Sequence, residues 1–147
     1  MAYDSRLYAS PHFSWREFAC HNWQRTAYPA DWREDRGRVL ALELEAIRAL
    51  LCDWRGCDVP LYLNSVFRTP DWNAEVAGRP KSKHLEGLAA DVQCPHGCTF
   101  SQFREVVLQV AKRPESRIRY VKVYPHQGFI HLDIRERKTL LIEEDEV

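Results

Sequence analysis

A regular stripe of apolar residues between Arg36 and Trp54 constrains the fold of this chain more than any other feature of its sequence. The stripe has spacings of four, three, four and three residues and consists of Leu40, Leu44, Ile47, Leu51 and Trp54. This periodicity is that of one face of an amphipathic α-helix. Because such a helix has to bury its apolar face, the chain needs a second layer on which this segment can pack.

A second helix is predicted near Thr99, whose hydroxyl group can form a capping box with Gln102. Its apolar face consists of Phe100, Phe103, Val107 and Val110. Pro114 cannot continue a helix, so we expect the helix to end before this residue.

Three segments rich in β-branched and aromatic residues favour strands: residues 59–66, 117–124 and 128–135. The last two are separated by a connection of hairpin length, which predicts an antiparallel pair. The helices and strands show no internal repeat and must share one core. The sequence therefore predicts an α+β fold in which a small antiparallel sheet packs against helices.

Length and charge restrict the organisation of the chain and its partners. In 147 residues we expect one domain over residues 1–140 and a mobile acidic tail over residues 141–147. The 21 basic and 21 acidic residues balance, so no net charge attracts nucleic acid or an anionic membrane. No apolar run approaches the roughly 20 residues that span a bilayer, and the segment from Met1 lacks the features of a signal peptide. We expect a monomer made in the cytoplasm, with neither nucleic acid nor membrane as partner.

The five cysteines are an odd number, which disfavours a complete set of disulfides and favours buried thiols. Cys94 and Cys98 could instead belong to a second, structural metal site, with Cys52 and Cys57 as the other pair. Their spacings are looser than those usual for zinc, so free thiols remain the simpler interpretation.

Alternation along residues 128–135 assigns two faces to the last predicted strand. Ile130, Leu132 and Ile134 point one way, and Phe129, His131, Asp133 and Arg135 point the other. The apolar set is expected to face the core. An imidazole and a carboxylate then lie side by side on the opposite face, either as a functional pair or as ordinary surface residues.

The segment over residues 82–91 offers two more potential metal ligands. Asp91 follows a run of small residues and is expected on a short strand, with His84 in the loop before it. Together with a second histidine they would supply nitrogen and oxygen ligands in a set of three. Such a set leaves a fourth position to water and is typical of catalytic zinc sites. A surface histidine and a turn aspartate are the alternative interpretation.

Four motifs in this sequence resemble a known family. A Ser-x-His-x-x-Gly-x-Ala-x-Asp pattern covers residues 82–91, and a Tyr-Pro-x-x-Gly-Phe-Ile-His-Leu-Asp run covers residues 124–133. Asn-Ser-x-Phe-Arg-Thr-Pro lies at residues 64–70, and His-Phe-Ser-x-x-Glu-Phe at residues 12–18. In this order the motifs resemble those of the zinc D-alanyl-D-alanine carboxypeptidases and their peptidoglycan-endopeptidase relatives, which include phage endolysins.

The resemblance implies a Hedgehog/DD-peptidase-like fold, with Zn²⁺ bound by His84, Asp91 and His131. It also implies that Arg68 and Ser82 contact the substrate. A guanidinium at Arg68 is suited to a substrate carboxylate or to the oxyanion that forms during amide hydrolysis. A surface arginine at the end of a strand is the simpler alternative.

The general base is not assigned by the resemblance, because relatives often carry an acidic residue where this chain has Gln127 or Gly128. His126 lies in the connection before the last strand, and we favour it slightly as the base. Asp133 is the second candidate, although it could instead orient His131. Glu86 is a third candidate and is expected to face solvent.

The implied function is zinc-dependent hydrolysis of a peptide bond in the stem peptides of bacterial peptidoglycan. Both D-Ala-D-Ala carboxypeptidase and endopeptidase activity fit the motifs. Without an export signal, a phage endolysin that reaches the cell wall after membrane permeabilisation fits better than a secreted enzyme. The alternative is a non-catalytic, zinc-bearing binding or structural module of the same fold, such as a phage tail component.

Overall fold

The computed structural model describes residues 3–146. Met1, Ala2 and Val147 lie outside the described residues. The expectation that the segment from Met1 is not a signal peptide therefore falls partly outside them. Within the described part of the chain, no helix is both long enough and apolar enough to cross a membrane.

The structure contains α-helices and two β-sheets, which confirms the α+β prediction. The strands are β1 (Tyr8–Ser10), β2 (Phe13–Ser14), β3 (Leu63–Ser65), β4 (Ala89–Gln93), β5 (Tyr120–Tyr124), β6 (Phe129–Asp133) and β7 (Leu141–Glu144). The α-helices are α1 (Trp15–Phe18), α2 (Arg38–Arg55), α3 (Pro70–Glu75) and α4 (Phe100–Ala111). β1 and β2 form a small hairpin, and the other strands form one sheet in the order β3-β4-β6-β5-β7.

The central strands β4, β6 and β5 are antiparallel, and the predicted hairpin of β5 and β6 is confirmed. In the register of these strands, His131 of β6 lies between Asp91 of β4 and Lys122 of β5. The next row consists of Val92, Ile130 and Val123, all three with no exposed surface. Consecutive rows therefore point to opposite faces of the sheet, one polar and one apolar.

The predicted long helix is α2, and its apolar stripe is buried in the same core cluster as the apolar face of the sheet. Leu40, Leu44, Ile47 and Leu51 are at most 1% exposed. The prediction for Trp54 is wrong, because this side chain is 46% exposed. The helix ends one residue later and the chain turns away at Gly56, which has a left-handed φ of 68°, so the last turn of the stripe projects beyond the core.

Helix α4 forms the other half of the helical layer. It has the predicted capping box between Thr99 and Gln102, and it ends at Ala111, before Pro114. Phe103, Val107 and further apolar residues of this helix pack in the core with α2. The predicted strand over residues 59–66 is shorter in the structure. Val59 and Leu61 are buried without strand pairing, and only Leu63–Ser65 pairs with β4. Pro60 separates the two buried residues and has no N–H group for a ladder.

The C-terminal segment corrects the expectation of a mobile acidic tail that begins at residue 141. Leu141–Glu144 forms β7, the parallel partner of β5. Without β7, β5 would leave its outer backbone groups unpaired at the edge of the sheet. The N–H of Leu141 bonds to the carbonyl of Arg119, and the N–H of Asp145 bonds to that of Val123. The sheet is consequently mixed, and the ordered domain extends past residue 140.

An aromatic cluster fixes the segment that precedes β4. It consists of Trp15, Phe18, Tyr28, Trp32 and Phe67. The Tyr28 hydroxyl donates a hydrogen bond to the carbonyl oxygen of Gly87 at 2.7 Å. Gly87 has a φ of +69°, and a Cβ added there would lie 2.7 Å from this hydroxyl. The turn before β4 therefore requires glycine at this position.

Candidate metal centre

Three side chains meet on the polar face of the sheet, at the position where β4 and β6 pair. Asp91 lies in the middle of β4, His131 lies opposite it on β6, and His84 lies on the 3₁₀ turn Lys83–Glu86. Asp91 Oδ1 is 2.9 Å from Nδ1 of His131 and 3.1 Å from Nε2 of His84. One ligand atom from each residue lies within 4.8 Å of the other two, so the group could hold a metal ion.

Backbone contacts fix the position of His84. The Ser82 hydroxyl accepts a hydrogen bond from the His84 N–H at 3.2 Å, and the His84 carbonyl accepts one from the Arg68 N–H at 3.0 Å. On the imidazole, Nδ1 lies 2.6 Å from the carbonyl oxygen of Val66. A carbonyl oxygen can only accept, so Nδ1 carries the proton and Nε2 presents a lone pair.

The environment of His84 Nε2 fits a bound cation. The side chain is 2% exposed, and Nε2 has no hydrogen-bond partner within the described residues. The Asp91 oxygen 3.1 Å away does not satisfy this nitrogen, because a lone pair and a carboxylate oxygen are both acceptors. Two acceptors at this distance require a proton or a cation between them. The buried nitrogen is therefore an observation in this structure that favours a metal ion.

Asp133 fixes the ring of His131 from the other side. Its Oδ2 lies 2.9 Å from Nε2 of His131, and the carboxylate accepts hydrogen bonds at 2.8 Å and 2.7 Å from the Arg135 guanidinium. Asp133 has no exposed surface. A carboxylate engaged in this way orients the imidazole so that Nδ1 faces Asp91. This geometry favours the orienting role for Asp133 over that of the base.

The charges of the group support ligation. Burial raises the pKa of the Asp91 carboxyl, but the contacts with His131 and His84 outweigh that effect, so the net pKa is well below its usual value. Burial likewise raises the pKa of Asp133, and the contacts with Arg135 and His131 outweigh that effect. Both carboxylates are ionised at neutral pH. Asp91 needs this charge to bind a metal ion, and Asp133 needs it to orient the imidazole of His131.

Arg68 lies beside the metal group on the β3 side. Its Nη2 is 3.4 Å from Asp91 Oδ2, while Nε and Nη1 donate to Ser65 Oγ at 3.1 Å and to Asn73 Oδ1 at 3.3 Å. A Cβ on Gly78 would lie 2.1 Å from Asn73 Oδ1, so glycine is needed for this close approach. The guanidinium is thus held in place beside the group, as its predicted role requires.

An open cleft of about 690 Å³ covers the metal group. The loop over residues 76–83 forms one wall and contributes Ser82, the predicted substrate contact. The floor and the opposite wall come from β5, β6, β7 and the segment after β6. They include five residues that were not predicted as site residues: Tyr120, Lys122, Tyr124, Arg135 and Glu143. Alternation along β5 would have placed its three residues on the polar face, opposite the buried Val121 and Val123.

The two remaining candidates, His126 and Glu86, do not line the cleft. His126 is exposed in the turn between β5 and β6 and is not among the residues that line the cleft. Glu86 is exposed, as expected, and forms an ion pair with Lys83 at 2.8 Å.

The cysteines do not support a second metal site. All five are free thiols. His84, Asp91 and His131 form the one potential metal-binding group of the described residues, and no cysteine belongs to it. Cys57 is exposed, and the Cys52 sulfur accepts a hydrogen bond from the N–H of Val59.

The two imidazoles and the carboxylate that could hold a metal ion lie in an open cleft, which leaves room beside them for water and substrate. The sequence matches the Peptidase M15 family over residues 11–133. The chain belongs to this peptidase family, which confirms the family resemblance of the four motifs. A comparison with curated proteins finds no match.

Proposed function

We propose that this chain is a zinc-dependent peptidase that hydrolyses a peptide bond in the stem peptides of bacterial cell walls. The observation that carries the proposal is the buried Nε2 of His84, which faces Asp91 and lacks a hydrogen-bond partner within the described residues. Two imidazole nitrogens and one carboxylate oxygen are a ligand set that suits Zn²⁺. Membership of the Peptidase M15 family supports the hydrolase class.

His84, Asp91 and His131 would hold the ion, and Asp133 would orient His131. A bound zinc ion supplies a Lewis acid and lowers the pKa of water. Arg68 presents donors toward the same point, where they can hold a substrate carboxylate or the oxyanion of the reacting carbonyl. Ser82, which lines the cleft beside His84, can hydrogen-bond to the peptide.

For the general base we propose His126. Its imidazole lies in the connection that leads into β6 and outside the residues that line the cleft, so this role requires the turn to bring it toward the metal group. Asp133 is less suited, because both of its oxygens already accept hydrogen bonds and none of its surface is accessible.

For the substrate, the open cleft suits a peptide chain, and the family resemblance favours peptidoglycan stems cleaved by carboxypeptidase or endopeptidase action. A phage endolysin that acts on the wall after membrane permeabilisation is the biological role we propose. The non-catalytic module remains the alternative, and the lack of an acidic residue at Gln127 or Gly128 favours it.

The test is zinc content and product analysis on the same protein preparation. After purification without chelators, we expect one zinc per chain and peptides or amino acids released from purified peptidoglycan, identified by mass spectrometry. A chelator should stop the release, and zinc should restore it. His84→Ala should lose both metal and activity, whereas His96→Ala, an exposed histidine outside the cleft, should keep both.

Bound zinc without release of any stem-peptide fragment would favour the binding module. Absence of zinc, or equal activity of the His84→Ala protein, would contradict the proposed site. Product masses also distinguish the two activities, because a carboxypeptidase releases single residues and an endopeptidase releases larger fragments.

A further inference from the structure

A closed set of side-chain contacts surrounds the ring of His131. Asp133 Oδ2 lies 2.9 Å from Nε2 of His131, and the Arg135 guanidinium donates to both oxygens of Asp133. The guanidinium carbon of Arg135 lies 4.2 Å from the ring centre of Tyr120. The Tyr120 ring in turn makes an edge contact with the His131 imidazole, with ring centres 5.6 Å apart. Tyr120 therefore closes the set, because it contacts both the proposed zinc ligand and the arginine that holds the orienting carboxylate.

The C-terminal strand fixes the position of Tyr120. The Tyr120 hydroxyl donates a hydrogen bond to Oε1 of Glu143 on β7. The carboxylate is the acceptor, because an ionised carboxylate has no proton to donate. β7 is the parallel partner of β5, and Glu143 lines the cleft. The match to the Peptidase M15 family ends at Asp133, so Arg135 and Glu143 lie beyond the matched residues.

Lys122 is the alternative partner of Glu143 on this face of the sheet. The two residues lie opposite each other in the pairing of β5 with β7. The Lys122 ammonium, however, lies 5.3 Å from the ring centre of Tyr124, whereas the hydrogen bond of the Glu143 carboxylate goes to Tyr120. A role of Glu143 through Tyr120 has to be separated by experiment from an effect of its negative charge.

We propose that Glu143 is a positioning residue of the metal centre, which acts on His131 through Tyr120. The proposal rests on the proposed function only in taking Zn²⁺ as the bound ion. Without the Glu143 carboxylate, the Tyr120 ring is free to turn away from the imidazole and from Arg135. Contacts that fix the orientation of a ligand imidazole raise its affinity for the metal. The C-terminal strand thereby contributes to metal binding without supplying a ligand.

The test is the zinc affinity of variants at Glu143 and Tyr120, measured by titration of the metal-free protein against a competing chelator. Glu143→Ala should weaken zinc binding by about 3- to 10-fold, which corresponds to the net contribution of one hydrogen bond. Tyr120→Phe removes the hydroxyl but keeps the ring, and it should give the same loss. The double variant should bind zinc no more weakly than either single variant, because both substitutions break the same contact.

Glu144→Ala is the matched control. Glu144 is the next residue of β7, and its carboxylate pairs with Arg104 of α4 at 2.6 Å. The Glu144→Ala protein should keep the wild-type zinc affinity. The unfolding temperatures of the two metal-free alanine variants should change by similar amounts, so that weaker zinc binding in Glu143→Ala alone is not a general loss of β7.

Glu143→Gln separates position from charge, because its amide oxygen can still accept the hydrogen bond from Tyr120 while the negative charge is gone. We expect this variant to retain most of the wild-type zinc affinity. A loss as large as that of Glu143→Ala would show that Glu143 acts by its charge, and it would overturn the proposal. Wild-type zinc affinity in Glu143→Ala, or a loss that persists unchanged when Glu143→Ala is added to Tyr120→Phe, would overturn it as well.

The same measurements distinguish this proposal from the proposed function. Zinc binding that weakens as expected, in a protein that releases no stem-peptide fragment, would support the positioning role and contradict the peptidase. Hydrolysis by a wild-type protein whose zinc affinity does not depend on Glu143 would do the reverse. A protein that binds no zinc would contradict both.

Discussion

The two faces of the central sheet are built from the same strands and serve different ends. On the apolar face, Val92, Ile130 and Val123 form a row without exposed surface, in one core cluster with α2 and α4. On the polar face, the neighbouring row consists of Asp91, His131 and Lys122, and it opens to the cleft. Adjacent residues of one strand thus belong to the core and to the site in turn.

The comparison explains why the metal ligands are held rigidly. The ligands on β4 and β6 need no loop to place them, because the backbone ladder that carries the core also carries them. His84 alone comes from a turn, and it is held by its contacts with Val66, Ser82 and Arg68. Variants on the two faces should therefore separate activity from stability, and the following predictions test how far that separation holds.

The largest loss of activity is expected at His126, which lies on neither face of the sheet but in the turn between β5 and β6. If it is the base, His126→Ala should lower kcat/KM by about 10²- to 10⁴-fold, the usual contribution of general acid–base catalysis. Zinc content and unfolding temperature should match those of the wild-type protein. A fully active His126→Ala protein would remove this residue from the mechanism.

On the apolar side, Ile47→Ala should lower the free energy of unfolding by about 2–5 kcal/mol, as large-to-small substitutions in a close-packed core do. Ile47 has no exposed surface and lies in the middle of α2. Leu42→Ala on the same helix is the control, because Leu42 is 63% exposed and its loss should cost far less. Denaturant unfolding measures both. A loss of kcat/KM per folded Ile47→Ala molecule would show that the two faces are not independent.

Much of the polar face could be predicted because chemistry and periodicity agree there. Alternation alone placed His131 and Asp133 on one face, opposite Ile130 and Leu132, and the structure confirms it. The motif over residues 82–91 identified His84 and Asp91, which the structure brings together with His131. Short-range signals of this kind depend only on the strand period and on side-chain chemistry.

Features that depend on distant parts of the chain could not be predicted in the same way. The acidic composition of residues 141–147 indicated a solvated tail, whereas the free edge of β5 recruits Leu141–Glu144 as a strand. The carbonyl of Val66 that fixes the tautomer of His84 is likewise visible only in three dimensions. Trp54 continues the helical period but lies beyond the end of the core.

Asp133 combines features of the two faces, because it points to the polar side of β6 and yet has no exposed surface. Asp133→Ala should weaken zinc binding by about 10- to 100-fold, since a lost hydrogen-bond partner leaves the ligand imidazole less well oriented. Excess zinc should then restore much of the activity. Asp133→Asn keeps the size of the side chain and should show a smaller loss, measured by zinc titration against a competing chelator. An Asp133→Ala protein that keeps its zinc yet stays inactive would make the aspartate the base.

The smallest effect concerns a polar contact on the core side of the molecule, where Glu45 of α2 ties down the N-terminal hairpin. Its carboxylate accepts hydrogen bonds from the Ser10 hydroxyl at 2.6 Å and from the His12 N–H at 2.8 Å, and its second oxygen lies 2.7 Å from Nδ1 of the His12 imidazole. Burial raises the pKa of Glu45, but the contacts with Ser10 and His12 outweigh that effect, so the net pKa is below its usual value. Glu45→Gln should therefore lower the free energy of unfolding by about 1 kcal/mol at pH 7.

A carboxyl whose pKa is lower in the folded state stabilises the protein above its unfolded pKa of about 4.3, and that stabilisation is lost as the pH falls through the folded value. The difference between wild-type and Glu45→Gln proteins should accordingly be full at neutral pH and shrink in acid. Glu34→Gln, which breaks an exposed pair with Arg38, should have a much smaller effect at every pH. A Glu45→Gln difference that stays constant down to pH values below about 4 would mean that the contact acts through its shape and not through its charge.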